Sequence, residues 1–129
     1  MTRQRRDFAG VYAALDEAVG LRAEEALPHL RMAAERLTEL IDETMAAAVV
    51  EGGTSLRAAG QRAGLSENAV GPRLARTAAL APYANDEGRV TAAAVERARY
   101  DAETGTTPPA RPAAAPLRFK ARRPTKGST

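Results

Sequence analysis

A glycine and a serine two positions apart, Gly64 and Ser66, restrict this 129-residue chain more than any other pair. Gly64 follows a short apolar-periodic run (Leu56, Ala59, Ala63) and stands where a helix C-terminus needs a residue free to take positive φ. Ser66 is a favourable N-cap, and Glu67 falls in the first turn of the helix it opens, where a carboxylate suits the positive end of the helix dipole. Small residues at Ala59, Gly60 and Ala63 let the two helices approach closely, while Leu56, Leu65, Val70 and Leu74 supply a shared core. With only about three residues between them, the helices must cross steeply.

The run Gly60-Gln61-Arg62-Ala63-Gly64-Leu65-Ser66-Glu67-Asn68-Ala69-Val70 resembles the helix-turn-helix of bacterial transcription regulators. That pattern has a small residue, three variable positions, glycine, an aliphatic residue, serine, and a second aliphatic residue five positions beyond the first. Gly60, Gly64, Leu65, Ser66 and Val70 match it in place, and the motif spans 55–80. The chain departs from the pattern twice. Gly60 stands where alanine is usual, and Pro72 lies inside the second helix, where a proline removes a backbone donor and strains the preceding turn. Either that helix kinks after Val70 or its regular part begins at Gly71-Pro72 with proline in the first turn. We expect a continuous, bent helix.

The resemblance implies that the second helix enters a DNA major groove with its N-terminal residues toward base edges. By position, Ser66, Glu67 and Asn68 are then the base readers, since Asn pairs bidentately with adenine and Glu accepts from cytosine N4. Arg73 and Arg76 would hold phosphates, as would Arg57 and Arg62 from the first helix. The function implied is sequence-specific binding of double-stranded DNA by a small bacterial, phage or plasmid transcriptional regulator, acting as a dimer by occupying a site. The alternative is a helical interaction or adaptor module that uses the motif as a scaffold.

The remaining chain reads as helical throughout, an all-α bundle of about five helices. Phe8, Val11, Tyr12, Leu15 and Val19 recur at helical steps over 6–19, and this spacing assigns Phe8 and Tyr12 to packing rather than to stacking on bases. A long central helix is expected over 24–51, with Pro28 near its start and regular helix from about Leu27. Leu30, Ala34, Leu37, Ile41, Thr44 and Ala48 alternate in steps of four and three, the seam of a coiled coil, with Leu40 and Met45 widening it. A core helix and a homodimer seam fit this pattern equally well. The other face of that helix sums to −5 and would repel a DNA backbone, so it should point away from one. Asn85-Asp86-Glu87-Gly88 marks a turn, and Thr91 caps a last helix to about Glu103 with Val95, Ala98 and Tyr100 turned inward. Residues 83–90 have room for a minimal two-stranded wing but too few β-formers to predict one.

Charge is unevenly spread. The net charge is +3, yet residues 104–129 carry +6 with no acid and the rest of the chain −3, while the motif span 52–80 is +3. The domain is therefore read as 1–103, followed by a disordered, basic, proline-rich tail over 104–129. In that tail Arg118, Lys120, Arg122 and Arg123 suit phosphates, and Leu117 and Phe119 suit a protein partner. The chain has no cysteine, hence neither a disulfide framework nor a Cys-based zinc site. His29 has no second histidine beside it, and Glu35, Glu39 and Glu43 share one face with no histidine partner, so no metal or cofactor is expected. Without a glycine-rich phosphate loop, an HExxH motif or a histidine near a serine, catalysis is not expected either. No apolar run approaches the ~20 residues of a membrane helix. The opening MTRQRRDFAG lacks the apolar segment of a secretory signal, which gives a cytoplasmic expectation.

Overall fold

The computed structural model describes residues 7–105. Over them the chain is all-helical: α1 (Phe8–Ala18), α2 (Ala23–Val50), α3 (Leu56–Ala63), α4 (Glu67–Leu74), a single 3₁₀ turn at Ala81–Tyr83, and α5 (Ala92–Thr104). The disorder expected of the tail falls, from residue 106 on, outside the described residues.

α1 and the N-terminal half of α2 form a hairpin. The Asp7 carboxylate opens α1 by accepting from the Gly10 amide at 2.8 Å. The inward face of α1 is made of small residues: Ala14 is buried, with Gly10, Val11 and Ala18 half-buried. Phe8, Tyr12, Leu15 and Val19, expected to pack inward, are all exposed. Both stripes recur at helical spacing, and the small-residue stripe is the one that lets two backbones come close.

α2 begins at Ala23 rather than near Leu27, so Pro28 lies inside it as the sixth residue. Proline there removes one i to i−4 bond while the helix continues through it. The two apolar sets of α2 also separate. Leu40, Met45, Ala46 and Val49 are buried, whereas Leu30, Ala34, Leu37 and Thr44 are exposed and Ile41 and Ala48 only half-buried. Leu40 and Met45 therefore do not widen the seam; they face the subunit's own interior.

That interior gathers Met45 and Val49 with Ala59, Val70, Leu74, Leu80, Tyr83, Val90 and Val95. Leu74, Leu80 and Val49 are fully buried, each worth about 1.5–3 kcal/mol. α5 closes the core with Ala94, Val95 and Ala98, behind a Thr91 hydroxyl that accepts from the Ala94 amide at 3.3 Å. Tyr100 is exposed, contrary to expectation: five residues past Val95 it has rotated off the inward stripe.

Arg99 fixes α5 to the joint after α2. Its Nε donates to the Val49 carbonyl at 2.7 Å and an Nη to the Thr54 carbonyl at 3.0 Å. α2 has no basic residue in its own last turn, so a guanidinium from another helix serves the Val49 carbonyl there and the Thr54 carbonyl just beyond.

No wing forms at 83–90, and no strand exists among the described residues. The Asn85 side chain accepts from the Glu87 and Arg89 amides, both at 3.0 Å, and the Asn85 amide donates to the Arg89 carbonyl at 2.9 Å. This closes a tight Asx loop. The Val90 amide donates to the Gly71 carbonyl of α4 at 3.1 Å, so the group a second strand would have needed is already used by a helix.

Candidate nucleic-acid interface

The turn between α3 and α4 is set by local chemistry. The Ser55 hydroxyl accepts from the Ala58 amide at 3.0 Å and starts α3. Gly64 ends it at φ +76°, with the Gly64 amide bonded to the Gln61 carbonyl and the Leu65 amide to the Gly60 carbonyl. This is the Schellman arrangement, which side chains other than glycine adopt at a cost. Ser66 has the extended backbone of an N-cap, but its hydroxyl makes no capping bond.

Close contact between the two helices depends on Gly60. A Cβ built there would lie 2.5 Å from Val70 Cγ2, so the alanine usual at this position of the motif would overlap a buried, β-branched neighbour. α4 is continuous from Glu67 to Leu74 with Pro72 as its sixth residue, and its regular part does not wait for Gly71.

Anchored by Val70, Gly71 and Leu74, which are buried, α4 presents Ser66, Glu67 and Asn68 to solvent at its amino end. Pro72, one turn beyond Asn68, is half-buried. The three residues named as base readers therefore do form one exposed group.

The arginines are less uniform than their sequence positions imply. Arg57 is exposed and pairs with Glu67 at 3.2 Å, so an expected phosphate contact and an expected base reader are bonded to each other. Arg73 does not stand free as a phosphate contact. Its Nε and an Nη both reach Asp42 Oδ1 at 2.7 Å, with the side chains only 21% and 13% exposed. Arg62 is exposed and lines an apolar groove with Phe8 and Ile41. Arg76 is exposed but lines a groove of about 460 Å³ together with Glu35, Glu39 and Glu43 of α2. Arg118, Lys120, Arg122 and Arg123 lie outside the described residues, as do Leu117 and Phe119.

One basic residue escaped the sequence reading. Arg89, half-buried on the loop that replaces the wing, lies against α4: its Cβ and an Nη are each 3.5 Å from where a Gly71 Cβ would stand. The signal available was its place directly after the Asn85–Gly88 turn.

Tyr83 lies in the core behind α4. Its hydroxyl donates to Asp101 Oδ2 at 2.6 Å, and Arg97 lies over its ring at 5.8 Å. Burial, reinforced by the bond to the Asp101 carboxylate, pushes the phenol up to about 12. Among the described residues no group of three histidine, aspartate or glutamate side chains could hold a metal ion, and no helix is long and apolar enough to cross a membrane. Comparison of the chain with protein-family models, curated proteins and solved structures finds no match.

Proposed function

We propose that the chain binds double-stranded DNA through the amino end of α4, reading sequence there and acting by occupancy of a site, as a small transcriptional regulator of bacterial, phage or plasmid type does. The observation carrying this reading is the division of α4 into two sides. Val70, Gly71 and Leu74 lock it to the core, while Ser66, Glu67 and Asn68 project from its first turn. A helix held this way is a rigid ridge, and hydrogen-bonding side chains at its amino end suit base edges in a major groove. Arg57 and Arg89 flank the ridge and suit phosphates. The test is selection of bound duplexes from a random pool, with a recurrent short motif expected. Failure to retain random duplex even at low salt would count against the proposal, because phosphate contacts alone give measurable affinity.

One observation favours an adaptor instead. The groove lined by Glu35, Glu39 and Glu43 is acidic and open, and it suits a basic protein segment better than a phosphate backbone. In that reading α3 and α4 serve only to support α2, and substitutions at Asn68 have no effect on the partner.

A further inference from the structure

We infer that the α1–α2 hairpin is the surface through which two copies of this chain associate, packing face to face as a four-helix bundle.

Two apolar stripes remain uncovered on the hairpin. On α1, Phe8, Tyr12, Leu15 and Val19 are 51%, 64%, 40% and 76% exposed; on α2, Leu27, Leu30 and Leu37 are 63%, 44% and 45% exposed. The α2 stripe continues through Ala34, Ile41 and Thr44, a three-four alternation held without a charged residue. At 3.6 residues per turn, the stripe lies about a third of a turn from the face used inside the hairpin on α1 and about a quarter-turn from it on α2. Both turn to the same side, since Phe8 of α1 and Leu37 and Ile41 of α2 line one shared groove of about 410 Å³.

Three considerations identify the occupant as a second copy. A half-exposed aromatic leaves about 100 Å² uncovered, so the stripes together offer on the order of 700 Å², close to the ~800 Å² one partner contributes to a stable interface. The α2 stripe carries no charge of its own, and Arg31 at its edge already has a partner within α2, Glu35 at 3.8 Å, so its flank calls for no foreign partner. Finally, a three-four spacing is self-complementary, the same stripe serving as knob and hole for its symmetry mate. Such a dimer would place two α4 ridges about a two-fold axis, but the inference does not rest on DNA binding.

The experiment is the mass of the full chain in solution, by light scattering or sedimentation at micromolar concentration and without DNA. The wild-type chain is expected at twice the monomer mass. Leu37→Glu and Tyr12→Glu, each placing a charge at a position exposed in the single subunit, are expected to halve the mass while leaving the helical circular-dichroism signal intact. Met32→Glu is the control: Met32 is 43% exposed on the opposite side of α2, and this variant should keep the dimer mass. A monomeric wild type overturns the proposal and leaves the face to another protein or to segment 106–129. Equal behaviour of the Leu37 and Met32 variants overturns it as well. A failed duplex selection with dimeric protein would leave this inference standing and remove only the DNA reading.

Discussion

The Arg73 guanidinium converges on a single oxygen of Asp42, with Nε and an Nη each 2.7 Å from Oδ1, and so ties α4 to the long helix 31 residues earlier in the chain. Neither side chain is fully sealed from water, which places the pair between an exposed bridge and a buried one. Replacing Asp42 with alanine strands a largely covered cation, and the expected loss is roughly 2–3 kcal/mol, between the ranges for surface and buried pairs. Urea unfolding of Asp42→Ala, Arg73→Met and the double variant checks this. The double variant should be less destabilised than the two singles added together.

Gly60→Ala should destabilise the chain even though alanine is the better helix former. The added methyl meets Val70 Cγ2 at 2.5 Å inside the core, and overpacking of this kind costs about 1–3 kcal/mol against a propensity gain of up to ~1 kcal/mol. A thermal melt should show a lower midpoint. Shortening the obstacle supplies the internal check: Gly60→Ala should cost less in a Val70→Ala background than in the wild type.

Alkaline pH should weaken the fold through Tyr83. Its folded-state pKa of about 12 lies above the ordinary 10.0, so the unfolded chain loses this proton first. The contribution is fully present below pH 10 and is lost as pH rises from there toward 12. Tyr83→Phe, which also gives up the bond to Asp101, should flatten the fall in urea midpoint across that window.

If α4 reads DNA, Asn68 and Arg89 must behave differently on substitution. Asn68→Ala is expected to change which duplex is preferred, at a cost of ~1–3 kcal/mol on the best sequence. Arg89→Ala should weaken binding to all sequences alike and reduce the salt slope by about one. Fluorescence anisotropy on selected and scrambled duplexes over a salt series measures both. Sequence-blind losses from the two variants would argue against base reading by Asn68.

What could be read from the sequence was local. Gly64 announces its turn because few other residues take φ +76° there at no cost, and Thr91 announces α5 through a bond to a residue three positions on. Periodicity located the apolar stripe of α1 but did not tell which of two regular faces meets the subunit's own neighbour. The small face, Gly10, Val11, Ala14 and Ala18, took that place. The helix through Pro72 is continuous, as expected, whereas Pro28 does not delay its helix to Leu27; each proline is the sixth residue of a helix that runs through it. The candidate site was legible at Ser66, Glu67 and Asn68, whose exposure follows from burial of Val70 and Leu74. It was not legible at Arg73. Asp42 is one carboxylate among six on its helix, and nothing nearby in sequence marks it as the one that takes an arginine from α4.

The Arg99 clamp also joins parts of the chain that are far apart in sequence. Its two carbonyl partners lie 50 and 45 positions earlier in the chain, so it closes only when α5 packs back on the end of α2. The α1–α2 hairpin needs only neighbouring segments and can assemble while the chain is still being made. Arg99 adds a second tie to a joint that Arg73 and Asp42 already hold, and this one lasts only while α5 stays docked.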